Sequence, residues 1–192
     1  MNRTSSPLVR LLDATEAVIA EEGWTAATTR RIAERAGVAQ GLVHYHAGSI
    51  DALRREATLR GIRRFFDQPL LAFDPTIGGA RAWVAHLLHP GRDGKPSDRE
   101  LRLLHESLPA AGRDELLRAE IAVLLDGYRE RIASALAWGG YPRSTASALA
   151  ATITAAVDGA VLQQSLDPHL DVAPIAEVLA TAVMAMPRVH DS

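Results

Sequence analysis

Apolar residues recur every three or four positions along most of this 192-residue chain, which is the spacing of α-helices that bury one face. In the first third of the chain, this pattern predicts helices over 8–22, 28–36, 40–46 and 49–66. Farther along, it predicts helices over 76–89, 97–108, 113–138, 143–166 and 174–186. No alternating apolar run bounded by hairpin turns indicates a strand. The sequence therefore predicts an all-α fold with about nine helices.

Glycine, proline and small polar residues mark the ends of these helices. Gly23 ends the first helix, and Gly37 stands where a left-handed C-cap residue belongs. Thr28 and Ser49 are the predicted N-caps of the helices that follow them. The stretch 67–75, which contains two prolines, predicts a boundary between an N-terminal head and a helical body.

The composition excludes several classes of protein. Hydrophobic residues make up 47% of the chain, so a sizeable core can be buried. The chain has no cysteine, which excludes a disulfide framework and thiolate chemistry. We find no signal peptide and no apolar run that approaches the roughly 18 residues of a membrane span. We therefore expect a cytoplasmic protein that has no membrane partner.

Charge is divided unevenly along the chain. The net charge is −2, but residues 1–66 hold ten arginines against seven acidic residues. Residues 67–192 hold eleven basic and sixteen acidic residues. A basic head on an acidic body suggests that only the head meets phosphate, although so small an imbalance carries weight only beside a motif.

The stretch 28–53 has the pattern of a short helix, a tight glycine turn, a second short helix and the start of a third. Arginines flank the first helix, and small or polar residues open the second. This arrangement is typical of a helix-turn-helix, which lays its second helix in the major groove of DNA. We expect residues 1–50 to form a DNA-binding domain and residues 51–192 a helical domain for ligand binding and dimerisation.

Residues 11–53 resemble the N-terminal domain of the TetR family of bacterial transcriptional regulators. The family positions that occur here in one register are Gly23, Thr28, Ile32, Ala33, Ala36, Gly37, Val38, Gly41, Val43, His46, Ser49 and Leu53. The stretch 155–168 is similar to the penultimate helix of the subgroup with a BetI-like C-terminal domain. The resemblance implies a homodimer that binds a palindromic double-stranded DNA operator, represses transcription and is released by a small-molecule effector of unknown identity.

Four positions depart from the family pattern. Ala39 replaces the usual serine, so the second helix of the motif lacks a hydroxyl N-cap. His44, Ala47 and Ile50 replace the usual tyrosine, phenylalanine and lysine. Because the family's tyrosine and lysine contact phosphates, an alternative is a ligand- or protein-binding module that has the same fold and weakened DNA binding.

The affinity for DNA is expected from phosphate contacts and the specificity from base edges. A helix N-terminus and its flanking arginines would hold phosphates. The first turn of the second helix would read bases, with glutamine suited to adenine and leucine to a thymine methyl group. The predicted DNA contacts are Thr28, Arg30, Arg31, Gln40, Gly41, Leu42, His44, Tyr45 and His46.

A single head makes few contacts, so two heads about 34 Å apart would read a two-fold symmetric site. The helix predicted over 143–166 is rich in alanine, and the helix over 174–186 is apolar on more than one side. These features favour a dimer contact made of four helices. The predicted interface residues are Ala146, Ala150, Ile153, Val157, Val161, Ile175, Leu179 and Val183.

The middle helices are expected to surround a ligand pocket, as the resemblance implies. An apolar pocket with a few polar groups is typical of small-molecule sites. The predicted lining residues are Trp83, His86, Leu87, Leu104, His105, Leu108, Leu124, Tyr128 and Asp158.

Other chemistry has weaker signals in the sequence. His86 and His89 have the i, i+3 spacing of metal ligands, and His105 with Glu106 follows, so a metal-binding regulator is a further alternative. The spacing fixes no third ligand, and we expect no metal. There is no phosphate loop, serine elbow or zinc-protease motif, so we expect neither an enzyme nor a cofactor.

Overall fold

The computed structural model describes residues 6–71, 98–167 and 169–188, and every regular element in those residues is helical. The all-α prediction is therefore confirmed for the described residues. The predicted helix over 76–89 lies outside them. The α-helices are α1 (Pro7–Glu22), α2 (Thr29–Ala36), α3 (Gly41–Ala47), α4 (Ile50–Leu71), α5 (Asp98–Ala111), α6 (Glu115–Trp138), α7 (Arg143–Leu166) and α8 (Ala173–Met184). A short 3-10 turn, Trp24–Ala26, joins α1 to α2.

Two predicted breaks begin later than the sequence indicates. Helix α4 continues through Pro69 to Leu71, and α5 continues through Pro109 to Ala111. A proline removes one backbone donor and usually ends or bends a helix. Pro109 is followed by only two more residues of α5, so little of that helix remains beyond the lost hydrogen bond.

The chain divides into two compact units, residues 1–65 with 96–123, and residues 66–95 with 124–192. Here they are called unit 1 and unit 2. This division describes packing, and the functional division at residue 50 stays a prediction.

Unit 1 has its core between the three helices of the N-terminal head and α5. Leu11, Ile19, Ile32 and Val43 are fully buried there, and Leu103 of α5 joins the same cluster. At Gly61 of α4, an added Cβ atom would lie 2.2 Å from Cδ2 of Leu103. A glycine at this position therefore lets α4 and α5 approach closely.

A buried carboxylate in unit 1 links three helices. Glu16 of α1 has only 4% of its side chain exposed, and its carboxylate accepts hydrogen bonds from Arg60 Nε at 2.7 Å and Arg64 Nη2 at 2.6 Å. Arg60 also donates to Asp13 at 2.5 Å, and Arg64 lies 3.4 Å from Glu100 of α5. We call these five residues the Glu16 cluster, and it ties α1 and α5 to α4.

Unit 2 contains most of α6 together with α7 and α8. Ile132, Ile153 and Val183 are fully buried in its core. The hydroxyl of Tyr141, in the turn before α7, donates to the backbone oxygen of Val183 at 2.9 Å. This hydrogen bond fastens the end of α8 to the start of α7.

Candidate nucleic-acid interface and ligand-binding residues

Local backbone chemistry sets the first helix of the helix-turn-helix. Thr28 is the N-cap of α2, and its hydroxyl accepts from the backbone N–H of Arg31 at 3.2 Å. Gly37 ends α2 with a φ of 64°, a left-handed conformation that few other residues adopt. The N–H of Val38 then donates to the oxygen of Ala33 at 3.0 Å, which closes the turn.

Helix α3 follows this turn with one face inside and one face outside. Val43 is fully buried against the core of the head. Gln40, not Ala39, is the N-cap of α3, and it makes no side-chain capping bond. Because α3 is only seven residues long, its position depends on that buried contact rather than on intrinsic helix stability.

The outer face of α3 presents most of the predicted base contacts together. Gln40, Gly41, His44 and Tyr45 are exposed, and Tyr45 has 81% of its surface accessible to solvent. The ring of His46 is half-buried and meets the Tyr45 ring edge-on, with 5.0 Å between centroids. Leu42, at the margin of this face, is also half-buried.

The three arginines of α2 differ in their surroundings. Arg30 is exposed and forms no ion pair with any residue in the described part of the chain. Arg31 donates to both carboxylate oxygens of Glu22, with Nε 2.9 Å from Oε2 and Nη2 2.8 Å from Oε1. Arg35 donates to Glu21 at 2.7 Å.

Other head arginines are occupied inside unit 1. Arg54 donates to the backbone oxygen of Ala27 at 2.9 Å and so holds the turn before α2. Arg55 pairs with Asp114, which also accepts from the backbone N–H of Leu117 at the start of α6. The backbone N–H of Leu117 and the Arg55 guanidinium lower the pKa of the Asp114 carboxyl. The sequence analysis missed these roles because a surplus of arginine does not show which arginines are paired.

The predicted ligand-binding residues fall into three groups. Leu104, His105 and Leu108 lie on α5 in unit 1, whereas Leu124, Tyr128 and Asp158 lie in unit 2. The remaining predicted lining residues lie outside the described residues: Trp83, His86 and Leu87.

Tyr128 and its neighbours form an aromatic and acidic group in unit 2. The Tyr128 ring stacks on Phe66, a residue that the sequence analysis did not select, with 4.7 Å between ring centroids. Burial raises the pKa of the Tyr128 hydroxyl, and the charge of Asp158 raises it further. Partial desolvation raises the pKa of the Asp158 carboxyl above its ordinary value, and Arg129 opposes that rise. We call Phe66, Tyr128 and Asp158 the aromatic–acid group.

Most of the predicted dimer residues are used within the chain. Of the eight, Ile175 is half-buried, and the side chain of Val161 lies outside what the structure describes. The other six are buried: Ala146, Ala150, Ile153, Val157, Leu179 and Val183. The same helices expose different apolar residues, Leu162, Leu166, Val178 and Met184. Helical periodicity finds an apolar face but does not show whether the same chain or a second copy covers it.

The metal alternative receives no geometric support from the described residues, which contain no group of three metal-ligating side chains. His86 and His89 lie outside those residues. Glu106, the acidic member of the predicted set, instead accepts a hydrogen bond from the backbone N–H of Trp24 at 3.1 Å.

One segment among the described residues, Arg143–Gln164 of α7, is long and apolar enough to cross a membrane by length and composition alone. In the window that meets this criterion, 41% lies buried within the chain. A core helix of the same length and composition meets the same criterion.

Comparison with known proteins finds one matching family model and several structures of similar fold. Residues 11–57 match the family model described as bacterial regulatory proteins, tetR family. No curated protein matches the chain. Similar solved structures are a transcriptional regulator of Rhodococcus sp. Rha1, a TetR-family member of Streptomyces coelicolor A3 and the multidrug binding protein EbrR in complex with imidazole.

These three structures resemble the chain over nearly its whole length. The Rhodococcus protein is 26% identical, with a TM-score of 0.73 and coverage of 94% of this chain and 95% of its own. The Streptomyces protein is 27% identical, with a TM-score of 0.71 and coverage of 93% and 98%. EbrR is 28% identical, with a TM-score of 0.69 and coverage of 93% and 90%.

The fold and the match together define the class as an all-helical regulator fold with an N-terminal helix-turn-helix domain. More particularly, the chain has the fold of a TetR-family transcriptional regulator, with the family's N-terminal domain in residues 11–57.

Proposed function

We propose that this chain is a dimeric transcriptional repressor that binds a two-fold symmetric operator in duplex DNA and leaves it when a small molecule binds. The observation that carries the proposal is the outer face of α3, where Gln40, Gly41, His44 and Tyr45 are exposed. These exposed residues lie along the second helix of a helix-turn-helix, which is the part that such proteins lay along base edges in the major groove.

Each predicted DNA contact has a role in this proposal. The N-terminus of α2, capped by Thr28, directs backbone amides at a phosphate, and the exposed Arg30 supports it. Gln40 pairs with an adenine, while Tyr45 and His44 contact bases or backbone farther along the groove. Gly41 lets the backbone approach the bases, and the half-buried Leu42 and His46 lie at the margin of this surface. Arg31 is next to Arg30 on α2 but is held by Glu22.

Selection of bound fragments from genomic DNA by the purified full-length chain tests the proposal. A palindromic consensus with half-sites about one helical turn apart is expected. If the protein retains no duplex even at low salt, DNA binding is not part of its function.

Replacing Gln40 by alanine is expected to relax base preference at one position in each half-site, because the side chain that reads that base edge is lost. A good bidentate contact contributes about 1–3 kcal/mol of discrimination. Mobility shifts on the selected operator and on its single-base variants measure this effect. Affinity for random duplex is the control and should not change, so equal losses on operator and random DNA would refute the assigned role.

The dimer in this proposal uses the exposed faces of α7 and α8. Leu162, Leu166 and Val178 offer apolar surface there, while the buried faces of both helices are already occupied within the chain. A second copy related by two-fold symmetry would cover the same residues on both partners. The interface predicted from periodicity thus keeps its helices but shifts to their outer sides.

The effector site is placed at the aromatic–acid group in unit 2. EbrR is described as a multidrug binding protein and has been crystallised with imidazole, which shows that a protein with this fold can accept a nitrogen heterocycle. The exposed carboxylate of Asp158 offers a negative charge that suits a planar cation, and the neighbouring Phe66 and Tyr128 rings, which are almost fully buried, would have to separate before a ligand could stack on them. Ligand binding would release DNA by favouring the form of the dimer that cannot span both half-sites.

Replacing Asp158 by asparagine is expected to weaken binding of a planar cation while it stabilises the free protein at neutral pH. The raised pKa means that the ionised carboxylate is disfavoured in the folded state. The stability gain should be absent below the ordinary aspartate pKa of about 3.9 and should grow as pH rises through the raised value. Proflavin fluorescence titrations and thermal melts from pH 3 to pH 8 measure the two effects.

Glu120→Gln is the matched control, because Glu120 is an exposed acid in unit 1. It should change neither proflavin binding nor the pH dependence of melting. If Asp158→Asn binds proflavin as tightly as the parent does, the effector site lies elsewhere.

A second candidate function is a ligand- or protein-binding module with weak DNA binding. Ile50 and Ala47 favour it, because both pack against the core of the head instead of offering a charge or a ring to phosphates. In this case the selected fragments would show no consensus, and the affinity would vanish at moderate salt. For either function, we place the protein in the cytoplasm and assign the BetI-like subgroup from the resemblance of residues 155–168.

A further inference from the structure

The charges of α2 are divided between a free arginine and arginines held by acids. Arg30 is exposed and has no ion pair within the described residues, whereas Arg31 and Arg35 each meet a carboxylate of α1. Those carboxylates belong to Glu21 and Glu22, the last two residues of α1. The sequence analysis selected both Arg30 and Arg31 as phosphate contacts and could not distinguish between them.

The Arg31–Glu22 pair has the stronger geometry of the two. Two nitrogens of Arg31 donate to two oxygens of Glu22 at 2.8 and 2.9 Å, which is the bidentate arrangement that fits a guanidinium to a carboxylate. Hydrogen bonding from Arg31 lowers the pKa of the Glu22 carboxyl, so Glu22 is charged at neutral pH. Glu34 adds a second carboxylate 3.5 Å from Arg31. Glu22 also lies 3.7 Å from Arg35, but Arg35 stays paired with Glu21 at 2.6 Å when Glu22 is replaced.

A phosphate that approaches α2 therefore meets two kinds of arginine. Arg30 gives up only its water to bind a phosphate. Arg31 must first leave a carboxylate that satisfies the same donors, so the exchange of one anion for another returns little free energy. The contribution of Arg31 to DNA binding thus depends on Glu22.

We propose that Glu22 holds Arg31 in reserve and so sets how many phosphates each head neutralises, while Arg30 makes the contact in the parent protein. Glu22 is an affinity-determining residue in this view, although it touches no DNA. The inference rests on the proposed DNA binding and specifies its strength and its salt dependence.

The test is the salt dependence of binding to the selected operator and to random duplex. Each phosphate neutralised contributes roughly 0.9 to the slope of log affinity against log salt. Glu22→Gln should steepen the slope by roughly 0.9 per head and tighten binding to both duplexes several-fold at low salt. Arg30→Ala should flatten the slope by a similar amount.

A double-variant cycle separates release of Arg31 from a general loss of negative charge. Arg31→Ala alone should change the slope little, but combined with Glu22→Gln it should cancel the gain. Glu56→Gln is the matched control, because Glu56 is an exposed acid of α4 with no ion pair among the described residues. It removes the same charge and should leave the slope unchanged, and melting curves confirm that each variant is folded.

Three results would overturn the inference. If Arg31→Ala flattens the slope as much as Arg30→Ala does, Arg31 already contacts a phosphate in the parent protein. An unchanged slope in Glu22→Gln would show that released Arg31 reaches none, and an equal gain in Glu56→Gln would assign the effect to net charge. A parent protein that binds no duplex at any salt overturns the proposed function itself, a result distinct from these three.

Discussion

Replacing Glu16 by alanine is expected to lower the free energy of unfolding by about 2–3 kcal/mol. The carboxylate is almost fully buried and receives guanidinium hydrogen bonds from Arg60 and Arg64. Removing it leaves two neighbouring positive charges without their shared partner. This loss of stability is smaller than that of a fully buried ion pair, because both arginines are partly exposed. Arg60 keeps its contact with Asp13, and Arg64 keeps its contact with Glu100.

Urea denaturation of the full chain measures this loss, and Asp13→Ala provides the control. Asp13 pairs with the same Arg60, but its side chain is largely exposed, so its removal should cost about 0–1 kcal/mol. Equal losses in both variants would mean that burial of Glu16 adds nothing. A more stable Glu16→Ala protein would mean that the desolvation of the carboxylate outweighs its hydrogen bonds.

The local chemistry of the helix-turn-helix was predictable from the sequence because it depends on near neighbours. Thr28 caps α2 through a bond to Arg31, three residues away, and Gly37 takes the left-handed conformation that its position requires. Val43, one of the positions that carry the family resemblance, is fully buried. In each case the cause and its effect lie within one or two turns of chain.

The pairing of the arginines was not predictable, because their partners are distant in sequence. Arg64 meets Glu16 across 48 positions and Arg55 meets Asp114 across 59. Counting charges gave the head a positive surplus, but most of its arginines neutralise acids within unit 1. Of the three on α2, Arg30 is the one left without an acid among the described residues.

Apolar periodicity had a related limit at the C-terminal helices. It selected Ile153, Leu179 and Val183, which the structure buries within the chain. The exposed positions of α7 and α8 are a mixture of small, polar and charged residues with occasional large apolar ones, which gives a weak periodic signal. A surface that a second copy covers can therefore be harder to see in the sequence than the core beside it.

Replacing Val178 by aspartate is expected to convert the proposed dimer to monomers and to reduce operator affinity by about 100-fold or more. Val178 is 70% exposed on the outer side of α8, where the proposed interface would bury it against the partner. A charge placed there would have to lose its water without an opposite charge to meet it. Two independent heads then lose the effective concentration that a dimer gives to the second half-site.

Val123→Asp is the control, because Val123 of α6 is 71% exposed and lies outside the proposed interface. Sedimentation equilibrium should show a dimer for the parent and for Val123→Asp, but a monomer for Val178→Asp. Binding to a single half-site should be alike in all three, since the head is unaltered. Dissociation by both substitutions would indicate a general effect of charge on association. A Val178→Asp dimer with full operator affinity would place the interface elsewhere on the chain.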